Sequence, residues 1–409
     1  MDQDLKFVIV GHVDHGKSTL IGRLLFDTNS LPPDKMEEIR RTSEELGRVV
    51  EYAFLMDNLQ EEREQGITID TAQTFFKTAK RQYVIIDAPG HVEFVKNMLT
   101  GASLAEAAIL IVDAAEGLKE QTRRHSYLLS LIGIKQVIVV VNKMDLVDYQ
   151  EAAFDEIKQE LAAFLAGLKV EPMFYIPIAA LKGDNVAKPS ENMPWYAGKT
   201  VLTALDDLHD LEEAQNQALI LPAQEIYKIG DKRYVLGRVE AGEVKAGQTI
   251  KVLPSGQTTT VKTVEKFQQE GLPSAGMGEN VGLTTADPLF IERGNVICQP
   301  GKEPVLKNEF SATLFWLNHE PLTKEEPLII KCATQETPAQ VIIEKRFNSS
   351  TMEVLEENAQ QLQFLEAAEI IIKTKKPLAL TRFSELAELG KFVLIKNDNI
   401  VAGGIINEL

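Results

Sequence analysis

The chain has 409 residues, a formal net charge of −17 at neutral pH and 44% hydrophobic residues. This length allows two or three domains, and the composition is ordinary for a soluble globular protein. No apolar run approaches the roughly 18 residues that a membrane span needs. The first residues do not resemble a signal peptide, and two cysteines that read as small core residues fit the reducing cytoplasm, where we expect the protein. The negative charge argues against broad affinity for nucleic acids, although local basic patches could still bind RNA.

Residues 7–208 alternate apolar strand-like runs with helical patterns. Continuous runs of Val and Ile, such as residues 137–141, suit strands covered on both faces, which predicts a mostly parallel sheet with flanking helices. The predicted strands are Phe7–Val10, Gln73–Thr78, Tyr83–Asp87, Ala108–Val112, Gln136–Val141 and Phe174–Ile178. The predicted helices include Ser18–Leu25, Glu93–Leu104, Glu120–Leu131 and Phe154–Leu168.

The segment Gly11-His-Val-Asp-His-Gly-Lys-Ser18 lies between the first strand and the first helix and has the spacing of a phosphate-binding loop. Backbone N–H groups of such a loop converge on phosphate oxygens at a helix N-terminus. Lys17 would reach the β- and γ-phosphates, and the Ser18 hydroxyl would bind Mg²⁺. A glycine-containing turn that binds nothing is the alternative. The remaining predicted nucleotide contacts in this segment are Val13, Asp14, His15, Gly16 and Thr19.

A second motif, Asp87-Ala-Pro-Gly-His91, ends the strand that begins at Tyr83. A carboxylate at a strand end beside a phosphate loop serves to hold Mg²⁺, usually through water, and we assign this role to Asp87. Gly90 would bring its N–H to the γ-phosphate, since glycine permits a close backbone approach. His91 is placed to orient the attacking water. A lone histidine is more often a simple polar residue.

A third motif, Gly66-Ile-Thr-Ile-Asp70, follows the charged stretch Glu61–Glu64. The hydroxyl and carbonyl of Thr68 could contact the γ-phosphate and Mg²⁺, so that the loop is ordered with a nucleoside triphosphate and released after hydrolysis. In isolation, Thr68 would be read as the start of a strand.

The segment Asn142-Lys-Met-Asp145 decides between guanine and adenine. Asp145 can accept hydrogen bonds from guanine N1–H and the 2-amino group, and adenine offers neither donor. A site built around such bonds rejects an analogue that lacks them by about 10⁴- to 10⁵-fold. Asn142 would brace the loop and Lys143 would lie along the base. Read singly, the tetrapeptide would fit a plain strand-end turn.

The last nucleotide motif is Ile178-Ala-Ala-Leu-Lys182. The backbone N–H of Ala180 could bind guanine O6, with Ala179 and Leu181 on either side. Alone, this string carries little information.

From about residue 218 the pattern changes to short β-rich runs separated by Gly, Pro and polar turns, which predicts all-β barrels or sandwiches. We expect a GTP-binding domain at 1–212 and two barrels at 213–303 and 304–409, with the acidic stretch Asp206–Glu213 as connector. Cys298 and Cys332 lie in apolar runs, so we expect buried thiols rather than a disulfide or metal pair.

The strings GHVDHGKS, GITID, DAPGH and NKMD, in this order, resemble the translational GTPases of the elongation factor Tu family. The resemblance implies a P-loop GTPase domain followed by two β-barrels, with GTP/GDP and Mg²⁺ as ligands. It also implies that Val13 and Ile67 flank His91 as an apolar gate that keeps water out until activation.

Within this family, the chain has a closer resemblance to the GTPase subunit of bacterial sulfate adenylyltransferase. The similar segments include 57–66, 121–126, 142–149, 180–185, 193–196 and 252–262. His12 and His15 stand where that subunit usually has serine and aspartate, and they resemble an elongation factor instead. Ala179 stands where serine is usual.

Three readings of the function are therefore open. The first is a regulatory subunit that couples GTP hydrolysis to the formation of adenylyl sulfate from ATP and sulfate by a catalytic partner subunit. The alternative is an elongation-factor-like GTPase that delivers aminoacyl-tRNA or a special tRNA to the ribosome. A GTPase switch acting on an unidentified partner is a third reading.

Overall fold

The computed structural model describes residues 4–12, 14–31, 73–87, 105–209, 217–230, 232–266, 269–324 and 326–409. The chain divides into two compact units, Met1–Asp210 and Leu211–Leu409. The predicted boundary at 212/213 falls within residues 210–216, which lie outside the described residues. That boundary and the one at 303/304 stay predictions.

The first unit contains a six-stranded sheet in the order β2-β3-β1-β4-β5-β6. Its strands are β1 (Leu5–Gly11), β2 (Gln73–Lys77), β3 (Gln82–Asp87), β4 (Ala107–Asp113), β5 (Gln136–Asn142) and β6 (Phe174–Pro177). Its described helices are α1 (Lys17–Asp27), α2 (Glu120–Leu131), α3 (Glu151–Gly167) and α4 (Val201–Leu205), with a 3₁₀ turn at Met144–Val147.

Strand β2 runs antiparallel to β3, and all other neighbouring strands are parallel. Every residue of β4 and β5 is buried, as expected for strands covered on both faces. Because the strands are parallel, their carboxyl ends meet at one edge of the sheet. The register aligns Ile9 with Asp87 and Asp113 with Asn142 at this edge.

The predicted helix Glu120–Leu131 is confirmed with the same bounds. The helix predicted from Phe154 begins three residues earlier, at Glu151. An acidic residue stabilises the first turn of a helix, and the apolar pattern used for the prediction does not register it. The predicted helix Glu93–Leu104 lies outside the described residues.

The acidic stretch predicted as a connector begins as part of the first unit. Asp206 Oδ1 accepts hydrogen bonds of 2.7 Å from Thr78 Oγ1 and Tyr83 Oη, and Leu208 is buried. The start of this stretch is therefore held by Tyr83 of β3 and by Thr78, which follows β2, and is not a solvated linker.

The second unit begins with a six-stranded ring, in the order β10-β15-β7-β8-β14-β11, that closes through pairing of β10 with β11. Its strands are β7 (Ile220–Ile229), β8 (Lys232–Arg238), β9 (Glu243–Lys245), β10 (Thr249–Leu253), β11 (Gln257–Lys266), β12 (Gln269–Leu272), β13 (Ser274–Gly276), β14 (Asn280–Thr285) and β15 (Val296–Cys298). β12 extends the sheet from β11, and β9 pairs with β13.

A second ring, in the order β18-β23-β24-β16-β22-β19, closes through pairing of β18 with β19. Its elements are β16 (Val305–Trp316), β17 (Leu322–Thr323), β18 (Leu328–Cys332), β19 (Gln335–Asn348), β20 (Val354–Glu357), β21 (Gln361–Leu362), β22 (Glu366–Leu380), α5 (Ala387–Gly390), β23 (Lys391–Lys396) and β24 (Asn399–Glu408). The predicted α/β domain followed by two all-β barrels is confirmed.

Within the second unit, one apolar cluster joins the two barrels. It contains Leu253, Val296 and Cys298 from the first barrel and Ala379 and Leu389 from the second. Both cysteines of the chain are buried free thiols, as the sequence predicts.

Candidate nucleotide-binding site

The phosphate loop joins β1 to α1 and depends on two glycines. Gly16 precedes α1 with a φ of +92°, and an added Cβ would lie 2.3 Å from Asn142 Nδ2. At Gly11 an added Cβ would lie 2.4 Å from the carbonyl oxygen of Ile111. Neither position has space for a side chain.

The N-terminus of α1 has no side-chain cap, whereas Thr200 caps α4 by accepting a hydrogen bond from the Thr203 N–H. The first N–H groups of a helix lack intrahelical acceptors and attract anions. The start of α1 therefore fits a phosphate group.

Lys17 and Ser18 occupy the first turn of α1. The Lys17 ammonium donates hydrogen bonds to the carbonyl oxygens of Gly11 (2.9 Å) and His12 (2.7 Å), so it lies over the loop. The Ser18 side chain is exposed, and Asp14 has a left-handed backbone with a φ of +64°. The predicted lysine and serine therefore stand at the loop, while Val13 lies outside the described residues.

His15 is fully buried beside β4. Its Nδ1 lies 3.3 Å from the Asp113 backbone N–H and 3.4 Å from the Ile111 carbonyl oxygen. Burial lowers the pKa of His15 below its ordinary value, which favours a neutral ring whose Nδ1 accepts from Asp113. Its Nε2 has no hydrogen-bond partner among the described residues. The ring thus joins the loop to β4, and the His12 ring lies edge-on to it with the ring centroids 5.1 Å apart.

Asn142 links the two ends of the site. Its Nδ2 donates a hydrogen bond to the His15 carbonyl oxygen, and its Oδ1 accepts one from the Ala180 N–H, both at 2.9 Å. Asn142 is 2% exposed, so both bonds lie away from water and are costly to lose. The phosphate loop and the segment 179–181 are thus fixed to one side chain.

Asp113 is a site residue that the sequence reasoning missed. It is buried at the end of β4, and its Oδ2 lies 2.7 Å from Lys143 Nζ. Oδ1 accepts hydrogen bonds from the N–H groups of Ala115 (2.7 Å) and Glu116 (3.3 Å). Burial opposes ionisation of this carboxyl, yet Lys143 and these N–H groups lower its pKa overall. The signal available in the sequence was its place directly after the predicted strand Ala108–Val112, whereas its register with Asn142 is seen only in the structure.

Asp145 lies in the 3₁₀ turn after β5 and is half-buried. Its carboxylate makes no hydrogen bond or ion pair with the part of the chain that the structure describes. The preceding residue, Met144, donates its N–H to the carbonyl oxygen of Ile178 at 3.1 Å, which ties this turn to the residue that follows β6. Asp145 can therefore accept hydrogen bonds from a ligand.

In the segment 179–181, the N–H group that was predicted to bind guanine O6 already has a partner in the protein. The Ala180 N–H, predicted to meet guanine O6, donates to Asn142, and the Ala179 N–H donates to the Asp184 carbonyl oxygen at 3.3 Å. An O6 contact by Ala180 would have to share or replace its bond to Asn142. The N–H of Leu181 has no partner within the described ranges.

The predicted metal and catalytic residues are only partly described. Thr68, Gly90 and His91 lie outside the described residues, as does the side chain of Asp87, whose backbone ends β3 beside β1. Within the described ranges, no group of three or more His, Cys, Asp or Glu could hold a metal ion. The exposed Ser18 hydroxyl at the start of α1 fits a metal bound beside a phosphate, and the Mg²⁺ ligand set stays a prediction.

No helix in the described part of the chain has the length and apolarity to cross a lipid bilayer. Three known domain families match the sequence: Elongation factor Tu GTP binding domain at residues 2–214, Elongation factor Tu domain 2 at 232–298, and GTP-eEF1A C-terminal domain-like at 309–407.

Two kinds of relatives are similar to nearly the whole chain. A sulfate adenylyltransferase subunit 1 from Psychromonas ingrahamii is 40% identical, over 96% of this chain and 84% of the relative. An elongation factor 1-alpha from Methanoculleus marisnigri is 38% identical, over 99% of this chain and 97% of the relative. A crystal structure of Sup35 with GDP is 24% identical, covers 100% of this chain and 95% of that chain, and has a TM-score of 0.47. The chain belongs to the elongation factor Tu family of GTP-binding proteins.

Proposed function

We propose that the chain hydrolyses GTP as the regulatory subunit of a cytoplasmic sulfate adenylyltransferase that serves sulfate assimilation. The observation that carries the GTP-binding part is the Asn142 bridge, because one buried side chain fixes the phosphate loop and the base-reading segment together. The 40% identity to a sulfate adenylyltransferase subunit 1 over 96% of the chain supports the role as a subunit.

In this proposal, positioning and charge stabilisation do most of the chemical work. Lys17 exchanges its carbonyl partners for the β- and γ-phosphates of GTP. His91 orients the attacking water, and Val13 and Ile67 flank it as an apolar gate that keeps water out until activation. Ser18, Thr68 and, through water, Asp87 would hold Mg²⁺, which when bound neutralises phosphate charge.

The partner subunit would join sulfate to the AMP part of ATP, giving adenylyl sulfate and pyrophosphate. This reaction is uphill, and GTP hydrolysis on the present chain would drive it through a change between two conformations. The nucleotidyltransferase site itself would lie on the catalytic partner.

A second candidate is delivery of aminoacyl-tRNA or a special tRNA to the ribosome. The elongation factor 1-alpha relative supports it, since the match spans 97% of that protein against 84% of the sulfate adenylyltransferase subunit. His12 and His15 are also residues typical of an elongation factor, and the His15 ring contacts the His12 ring and the Asp113 N–H of β4.

Calorimetry on the full chain tests the nucleotide assignment. We expect heat on titration with GTP and Mg²⁺. The affinity for ATP should be at least a thousand-fold lower than the affinity for GTP, since adenine lacks both donors for Asp145. Equal binding of the two nucleotides would refute the guanine assignment.

Mixing experiments test the proposed role. Together with a catalytic sulfate adenylyltransferase subunit, the chain should raise adenylyl sulfate yield in a GTP-dependent way, and its own GTP hydrolysis should accelerate. The control is a Lys17→Ala chain, which should bind GTP poorly and give neither effect. If neither activity changes on mixing while tRNA co-purifies with the GTP-loaded chain, the delivery role replaces the regulatory one.

A further inference from the structure

The turn that carries Asp145 has an unfavourable backbone at three nearby positions. Lys143, Asp148 and Tyr149 have φ values of +62°, +50° and +55°. Residues other than glycine adopt this left-handed region at a cost, and a bulky residue such as tyrosine does so rarely. Such a turn persists only where surrounding contacts fix it.

All three polar groups of Tyr149, the N–H, the carbonyl oxygen and the hydroxyl, form hydrogen bonds. Its N–H donates to the Met144 carbonyl oxygen at 2.8 Å, and its carbonyl oxygen accepts a hydrogen bond of 2.9 Å from Trp195 Nε1. Its hydroxyl donates to Asp184 Oδ2 at 3.2 Å. Burial, together with the nearby charges of Asp184 and Asp145, raises the pKa of Tyr149 to about 12, so the hydroxyl keeps its proton at neutral pH.

The partners of Tyr149 are themselves fixed. Asp184 Oδ1 accepts hydrogen bonds from Ser190 Oγ (2.5 Å) and Asn192 Nδ2 (3.3 Å). The Trp195 ring lies 5.6 Å from the buried Phe154 ring at the start of α3. The segment 184–195 therefore forms a support beneath the turn at residues 144–149.

The same support reaches the other predicted base-reading segment. The Asp184 carbonyl oxygen accepts the Ala179 N–H, so Asp184 contacts the turn through its side chain and the segment 179–181 through its backbone. Asp184 thus links Tyr149 to the segment 179–181, while Tyr149 and Trp195 hold the turn of Asp145 without being among the residues expected to touch guanine.

We propose that Tyr149 and Trp195 are positioning residues that hold Asp145 for recognition of the guanine 2-amino group and thereby set base selectivity. This inference rests on the proposed binding of guanine nucleotides. It predicts that loss of either support weakens discrimination between bases, and not merely the stability of the fold.

Comparison of GDP with inosine diphosphate measures this effect, because inosine keeps N1–H and lacks the 2-amino group. We expect the ratio of GDP to inosine diphosphate affinity to fall about three- to tenfold in Trp195→Phe, which keeps an aromatic ring and loses the N–H donor. Tyr149→Phe, which loses only the hydroxyl, should also lower this ratio. It tests the positioning role if Trp195→Phe does not fold.

Tyr196→Phe is the matched control. Tyr196 packs in the same aromatic cluster, 6.2 Å from the Trp195 ring, but its hydroxyl donates to the carbonyl oxygens of Tyr175 and Lys199. The ratio of GDP to inosine diphosphate affinity in Tyr196→Phe should stay within twofold of the ratio in the unmodified chain. In an Asp145→Ala background, Trp195→Phe should leave the ratio unchanged, because the group through which it acts is gone.

The outcomes separate this inference from the proposed function. Unchanged selectivity in folded Trp195→Phe or Tyr149→Phe, with a normal GDP preference in the unmodified chain, would overturn the positioning role alone. A further fall caused by Trp195→Phe in the Asp145→Ala background would also overturn it. An unmodified chain that does not prefer GDP to inosine diphosphate would overturn the guanine assignment and this inference with it.

Discussion

The amide of Asn142 donates a hydrogen bond of 2.9 Å to the carbonyl oxygen of His15, a residue 127 positions earlier in the chain. The bond joins the end of β5 to the phosphate loop. Because the same side chain also accepts the Ala180 N–H, it sets the spacing between the places expected for the phosphates and for the base.

Asn142→Ala should therefore weaken both folding and nucleotide binding. The change leaves a buried carbonyl and a buried N–H without partners, which costs about 1–3 kcal/mol each. We expect a lower melting temperature and at least tenfold weaker GDP binding by calorimetry. Thr200→Ala removes the cap of α4 together with a hydroxyl bond to Thr203, and it should cost about 1 kcal/mol of stability while GDP affinity stays unchanged. Equal effects of both variants on GDP binding would contradict a specific role for the bridge.

Asp145→Asn should change the preferred base. The asparagine amide donates where the aspartate accepted, so the variant should prefer xanthine, whose 2-oxo group replaces the guanine 2-amino donor. Competition between GTP and xanthosine triphosphate measures this, and we expect the preference to shift by at least tenfold toward xanthine. Asp148→Asn changes an exposed carboxyl in the same turn and should leave the preference intact. Unchanged selectivity in Asp145→Asn would remove Asp145 from the site.

Gly16→Ala should abolish nucleotide binding. The substitution combines a φ of +92° with a methyl group 2.3 Å from Asn142 Nδ2, so the loop has to move. Gly117→Ala is a control for backbone strain without a steric clash, since Gly117 has a φ of +67° and no atom lies within 4 Å of an added Cβ. We expect Gly117→Ala to cost about 1–2 kcal/mol in thermal unfolding and to bind GDP normally. Normal GDP binding by Gly16→Ala would show that the loop does not hold the phosphates.

His91→Ala should slow GTP hydrolysis and leave binding nearly unchanged. Loss of a residue that orients water lowers the rate by about a hundredfold or more, while the phosphate and base contacts remain. Single-turnover hydrolysis gives the rate, and titration with a non-hydrolysable GTP analogue gives the affinity. A large loss of affinity with an unchanged rate in the bound state would refute the assigned role.

Glu240 should make the second unit less stable as the pH rises. Burial raises the pKa of Glu240 to about 7 from an ordinary value of 4.5, with the nearby Glu388 acting in the same direction and Arg238 and Lys391 opposing it. Below pH 4.5 the carboxyl is protonated in both the folded and the unfolded state. Between pH 4.5 and about 7 the unfolded chain ionises first, so folding stability is progressively lost.

Glu240→Gln should remove this loss. Its melting temperature should match that of the unmodified chain near pH 4.5 and exceed it above pH 7. Glu303 is a control of opposite sign, because its hydrogen bond with Lys251 lowers its pKa to about 2. Any stabilisation from Glu303 should be present above pH 4.5 and fade toward pH 2. A melting difference for Glu240→Gln that does not vary with pH would contradict the assignment.

The sequence by itself determined the fold class, the order of the motifs and the types of residues at the site. The apolar pattern indicates which residues are buried, so it predicted the bounds of α2 and the full burial of β4 and β5. The spacing of Gly16, Lys17 and Ser18 predicted the phosphate loop. These features are local, because they depend on neighbours a few positions away.

Only the tertiary structure decided which distant groups pair. It placed Asp113 against Lys143, gave the Ala180 N–H to Asn142, and brought Trp195 to the backbone of Tyr149. Each pairing depends on strand order and register, which bring together positions far apart in the chain, and a periodic pattern carries no information about them. Local sequence fixes what a segment becomes, whereas the buried polar partners of its ends follow from where the folded chain places them.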